Sequence, residues 1–323
     1  MTTPEPRPKM TFKEIRLMID KSVNAWVDDY ASSMGAAIAY YTLFSIAPLL
    51  ILAIGLGGLV FGPEAAQGQI VAQLQGRIGP DAAQMLEGLI KTVGQPAQGA
   101  TATAVGFLAL LFGASSVFEE LQSALNRIWR APDRANRSGL FNLLRTRLRS
   151  FGMILGLGLL LVFSLGFSAL VSAAGKSSGG LLFGWQTILQ IANFAISFVV
   201  NACLFAMIYK FMPRARIAWR DVGVGATVTA FLFETSKLLI GLYLGQSSVG
   251  SGFGAAGSLV IFLVWVYLSA QIFLLGAEFT WVYSHQRGSR SERFKAKVAP
   301  IVPSRSGDTT DEAKVDEVIR GPW

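Results

Sequence analysis

Long apolar runs, each about the length needed to cross a bilayer, constrain this chain more than any other feature. A helix needs roughly 20 consecutive apolar residues to span the hydrocarbon core. Runs of that kind are read at about 35–61, 100–118, 150–173, 183–212, 222–245 and 259–283. Lipid offers no hydrogen bonds to an exposed backbone, so each run is expected to be a helix that satisfies its own N–H and C=O groups. Composition agrees. Hydrophobic residues make up 52% of the 323 residues and charged residues 15%, whereas soluble domains are about a quarter charged. The expected class is all-α: a polytopic membrane protein with six transmembrane helices, an amphipathic N-terminal interfacial helix and a small helical periplasmic loop.

The net charge of +8 points to orientation rather than to nucleic acid. Segments 1–34, 127–149, 210–220 and 287–320 hold five, seven, four and eight of the 28 lysines and arginines. Arg77, Lys91 and Lys176 lie on the other side, and Lys237 lies within a run. Basic residues gather on cytoplasmic loops, so both termini are expected in the cytoplasm and the protein in a bacterial inner membrane. The chain divides into a cytoplasmic segment (1–34), a transmembrane domain (35–285) and a cytoplasmic, disordered tail (286–323). No secretory signal is read at the N-terminus. The single cysteine, Cys203, lies in an apolar run and excludes an intramolecular disulfide.

Thr11 and Glu14 have the spacing of a capping box. After them Phe12, Ile15, Ile19, Val23, Trp26 and Tyr30 recur every three or four residues. Lys13, Arg16, Asp20 and Lys21 fall largely on the other side, so the helix is expected to lie in the membrane interface. Pro48, near the middle of the first run, predicts a kink, with Thr42 and Ser45 close enough to help satisfy freed carbonyls. Between the first two runs, Gly79-Pro80-Asp81 divides a moderately polar segment into two short helices. Gly152, Gly156 and Gly158 in the third run predict a close packing face. The uncharged, glycine-rich segment 245–258 fits either a loop or a re-entrant turn.

The candidate site centres on the fifth run, VGVGATVTAFLFETSKLLIGLYLG, because Glu234 and Lys237 sit inside it. Three residues apart, they share a helix face and can neutralise each other where a lone charge is costly. Both a functional polar site and a structural ion pair fit that spacing. In the fourth run Asn193, Ser197 and Asn201 continue a stripe with Gln186 and Gln190, suited to interhelical bonds or to a wet cavity wall. In the sixth, Glu278 shares a face with Gln271 and falls near the cytoplasmic mouth. Glu119 and Glu120 stand at the end of the second, paired with Arg127 or Arg130 or taking part in gating.

Several blocks together bring a family into view. They are AAIAYYTLFSIAPLL in the first run, FGASSVFEELQSALNRIW closing the second, FLFETSKLLIGLYL in the fifth and GSGFGAAGSLVIFLVWVYLSAQIFLLGAEFT in the sixth. With these, the chain resembles the YihY/BrkB family of bacterial inner-membrane proteins, once called ribonuclease BN. Phe253 stands where that pattern commonly has tyrosine. The resemblance implies a six-helix inner-membrane protein, and the family's virulence label and links to envelope lipids point toward transport.

Three functions follow as expectations. The first is a transporter or flippase for an envelope lipid or other amphiphile, with Glu234 and Lys237 at its core, Asn193 and Asn201 as wall, and Glu278 and Glu119 near the mouth. Its partners are membrane lipids and a lipid-like substrate. No GxxxxGK[ST] loop supplies ATP chemistry. The second is an enzyme, including the nuclease of the old name. One histidine, His285, and one cysteine do not make a convincing catalytic or metal-site constellation, so no cofactor, metal or specific nucleic acid is expected. The third is a non-catalytic scaffold of envelope machinery, using the amphipathic helix and the tail.

Overall fold

A computed structural model describes residues 11–78, 80–93, 116–131, 185–246 and 256–290. Among the described residues all regular structure is helical. The helices are α1 (Phe12–Asp28), α2 (Ala31–Phe61), α3 (Pro63–Ile78), α4 (Pro80–Val93), α5 (116–128), α6 (Trp185–Phe211), α7 (Trp219–Gln246) and α8 (Gly257–Gln286). Phe194–Phe211 in α6 and Gly257–Gln286 are each long and apolar enough to cross a membrane, and the two halves of α2 make a third span if they count as one. The more polar α7 carries Arg220, Asp221, Glu234 and Lys237 and is not among them. The predicted span 150–173, residues 100–115 of the second, segment 247–255 and the tail from 291 lie outside the described residues.

The axis of α2 bends by 49° between Ala31–Ala47 and Leu49–Leu59, where Pro48 withholds the N–H that would reach the Phe44 carbonyl. Thr42 donates instead to the Ile38 carbonyl at 2.7 Å, so it supports the turn before the bend rather than the carbonyl that proline frees. The break anticipated at residues 79–81 falls between α3 and α4.

The hub is α8. It packs against α7 on one flank and α2 on another, against α4 near its beginning and against α1 toward its end. Contact with α7 is made through two matched pairs. The α-hydrogen face of Gly225 meets the side chain of Thr280, and that of Gly276 meets Thr229 and the Tyr209 hydroxyl. Each threonine donates to the carbonyl of the glycine one turn earlier in its own helix, Thr229 to Gly225 at 2.8 Å and Thr280 to Gly276 at 2.6 Å. The crossed pairing makes the helices antiparallel and leaves no hydroxyl stranded at the contact. Tyr209 of α6 donates to the Phe273 carbonyl at 2.7 Å and lies 3.1 Å from the Thr229 hydroxyl, tying a third helix to the same point.

In α1 the backbone N–H of Thr11 donates to Glu14 at 2.9 Å. Met18 and Ser22 are the residues it buries against the bundle. Phe12, Ile15, Ile19, Val23 and Tyr30 face outward, so most of the predicted apolar stripe is not covered by protein. Glu14 also receives Arg287 Nη2 at 2.7 Å. Cys203 is exposed on α6.

Gly276→Val drives a branched side chain into Thr229 and Tyr209. It is expected to lower stability by about 1–3 kcal/mol, read as a lower unfolding temperature in detergent, while Gly223→Ala, where a Cβ meets nothing, changes little. The Thr11 N–H and the Arg287 guanidinium hold the Glu14 carboxyl below its usual range. A depressed carboxylate contributes above its unfolded pKa and loses that contribution as pH falls through the folded value. The tie is therefore expected to persist through the ordinary carboxylate range and open only on further acidification. Amide exchange of α1 across an acid titration, compared with Arg287→Ala, checks this.

Candidate functional site

Glu234 lies in the middle of α7, and its carboxylate faces α6. Three donors converge on one oxygen, Oε1. Lys237 Nζ approaches at 2.6 Å, Asn201 Nδ2 at 2.5 Å and Ser197 Oγ at 3.3 Å. The Glu234 and Lys237 side chains are 9% and 19% exposed, so the pair is sequestered with the lysine toward the rim. The Lys237 ammonium also sits 5.3 Å from the Phe233 ring centre, on the electron-rich face that attracts cations.

The arrangement follows from helical spacing. Residues 197 and 201 are one turn apart on α6, and 234 and 237 nearly one turn apart on α7, so two polar stripes meet where the helices pack. The stripe is thus an interhelical bonding surface at Ser197 and Asn201. The side chain of Asn193 lies outside the described set, as do those of Gln186 and Gln190.

Glu278 belongs elsewhere. Gly276 and Thr280 face α7, and Glu278, two residues from each, points to the opposite side of α8. There it faces Asp28 and Asp29, where α1 passes into α2, and Arg130 beyond α5. It is 1% exposed, a buried carboxyl with an arginine among its neighbours. The pairings Gly225–Thr280 and Thr229–Gly276 place Glu234 level with residue 271. At 1.5 Å per residue, Glu278 is about 10 Å further along. Gln271 does share its face, with Nε2 3.4 Å from the Ser32 carbonyl. Glu119 is exposed on α5 and is not part of the Glu234 cluster.

Two polar contacts of consequence were not foreseen. Asp221, fully buried in the first turn of α7, accepts from the Ser289 N–H at 3.1 Å and from its hydroxyl at 2.6 Å, locking the segment after α8 to the start of α7. An acid directly after the basic 210–220 turn was the available signal. From α5, Gln122 donates to the Met212 carbonyl at 2.9 Å, and Asn126 accepts from the Arg214 N–H at 2.8 Å, clasping the turn between α6 and α7. His285 is buried with Nδ1 2.8 Å from the Trp281 carbonyl, a structural position. Among the described residues no three His, Cys, Asp or Glu side chains are placed to hold a metal ion.

Apolar helices of spanning length, with an ion pair and two polar residues enclosed between one of them, α6, and the more polar α7, define an integral membrane protein with a buried polar centre. The family described as Virulence factor BrkB matches residues 22–300, and the chain belongs to that family. It is 30% identical over 284 residues to a UPF0761 membrane protein of Pseudomonas paraeruginosa, covering 86% of this chain and 64% of that one. A UPF0761 membrane protein of Pseudoalteromonas atlantica is 30% identical over 249 residues, 76% of this chain and 78% of the relative. A third, from Psychrobacter sp., is 27% identical over 267 residues, 80% of this chain. The chain spans only 47% of the Psychrobacter relative's length. No solved structure matches.

Removing one member of a sequestered pair leaves the other charge uncompensated, whereas removing both relieves it. Glu234→Leu is expected to cost on the order of 3 kcal/mol, and adding Lys237→Leu to recover part of that loss. Unfolding temperatures of the two singles and the double in one detergent test the coupling.

Proposed function

We propose that this protein is a six-span inner-membrane protein, both termini cytoplasmic, that moves an envelope lipid or another amphiphile between the two sides of the bilayer. The observation that carries this reading is the Glu234–Lys237 pair, enclosed with Ser197 and Asn201 between α6 and α7. Ionisable groups inside membrane helices are costly and usually mark substrate or ion paths. A zwitterionic or anionic headgroup has the chemistry to exchange partners with this pair. It can take the lysine while the amide and hydroxyl keep the carboxylate satisfied. Membrane lipids are then both surroundings and substrate. The basic segments, on the cytoplasmic side in this arrangement, would attract anionic headgroups. The driving force is a gradient or a partner, and no enzymatic step or cofactor is assigned.

The outward-facing apolar stripe of α1 favours, as a second reading, a scaffold that contacts envelope machinery through that helix.

Translocation in proteoliposomes separates the two. Fluorescent phospholipids are placed in both leaflets and read by an impermeant quencher, comparing wild type with Glu234→Gln/Lys237→Met. Wild-type translocation slowed about tenfold or more in the variant is the expected result. Equal rates in both would remove the pair from the pathway. No translocation by folded wild type would leave the scaffold.

A further inference from the structure

We propose that Glu278 and Asp29 form a proton-binding site, in which one proton held between the two carboxyl groups latches the α1–α2 joint onto α8 and its loss to water releases that joint.

The argument begins with an imbalance of hydrogen-bonding groups. Glu278 Oε1 and Asp29 Oδ2 are both buried and have no donor among the described residues. The two carboxyl groups face each other where the α1–α2 joint packs on α8. Two carboxylates are acceptors only, and two facing acceptors cannot bond until one carries a hydrogen. A single proton supplies the missing donor and removes one charge from a place where charge is costly. The charged groups facing Glu278 are Asp28 and Asp29 from the joint and Arg130 from the end of α5. One guanidinium thus faces three carboxyl groups.

Backbone conformation marks the same place independently. Tyr30 (φ 56°) and Arg130 (φ 47°) are the non-glycine residues in the left-handed region among those described. Non-glycine residues hold that conformation only where their surroundings over-determine it. Tyr30 directly follows Asp29, with the Arg127 guanidinium 5.5 Å from its ring centre. The Arg130 guanidinium stands 4.5 Å over the ring of Trp281, on the same part of α8 as Glu278. Two strained residues and two arginine–aromatic stacks therefore converge on the carboxyl pair. While the proton is present it bridges the joint to α8. When it leaves, neighbouring buried carboxylates repel, and the joint and α1 loosen from the hub.

This site needs nothing from the transport reading, because it lies on another face of α8 and its readouts do not involve transport. Infrared spectra of the full chain in proteoliposomes are the test. In wild type, a protonated-carboxyl C=O band is expected to persist at neutral pH and to vanish as pH is raised. Glu278→Gln and Asp29→Asn are each expected to lack it. Amide exchange of residues 12–28 should quicken in wild type over the pH range in which the band disappears. In Glu278→Gln, whose neutral amide keeps a donor facing Asp29, exchange should stay slow over that range. Absence of the band in wild type at neutral pH overturns the proposal. So does its retention in both variants, or an α1 response identical in wild type and Glu278→Gln. If neither variant folds, the wild-type comparison still decides: a band that titrates apart from α1 exchange overturns the latch.

Discussion

The close approach of α7 and α8 is the constraint on which the other helices depend. Between helices surrounded by lipid the hydrophobic effect gives little preference for association, and contact depends on dispersion between surfaces that fit. Gly225 and Gly276 remove two side chains, and Thr280 and Thr229 fill the space. Both hydroxyls turn back onto their own helices, so the fit strands no polar atom. Tyr209 inserts from α6 at the level of Thr229 and Phe273, which fixes how α6 lies along α7. That register, continued outward, brings Asn201 and Ser197 opposite Glu234. The charged centre is positioned by a contact between small residues more than a turn away.

The interior polar groups then fall into contrasting sets. Asp221, Thr229, Thr280 and Ser284 are buried with partners in hand. Glu234 has three donors on a single oxygen. Glu278 has an oxygen with no donor among the described residues. A chain whose other buried carboxylate, Asp221, is matched twice over by Ser289 has departed from balance in opposite directions at two places. The proposed exchange of partners would draw on the crowding at one, and the proposed proton site on the shortage at the other.

Much of the architecture was legible because it rests on local rules. Hydropathy located α2, α6 and α8 to within a few residues, proline located the bend in α2, and Gly79-Pro80 separated α3 from α4. The meeting of α6 and α7 was legible in part, since amides and hydroxyls at four-residue spacing on an apolar helix must find partners, and an acid in the next helix is an obvious one. The glycine–threonine interlock was not legible. Gly225 and Gly276 stand in sequence as ordinary small residues, and only their crossed pairing gives them meaning. The burial of Glu278 was not legible either, because closeness to a helix end resembles exposure until the α1–α2 joint is seen folded across it. Asp221 was overlooked for the same reason: its partner is 68 residues away.

The bend in α2 carries a mechanical consequence. Met34 and Ile38, before it, belong to the core shared with α1, α5, α6, α7 and the second half of α8. Leu50 beyond it, together with Ala39 before it, joins Ala82, Ala83, Leu86 and Ile90 of α4 and Phe262 and Val266 at the start of α8. Because the backbone at position 48 lacks one rung of hydrogen bonding, torque applied to either end meets its weakest resistance there. The distal half of α2, with α3 and α4, therefore packs at an angle to the first half, from a joint that lies within the span.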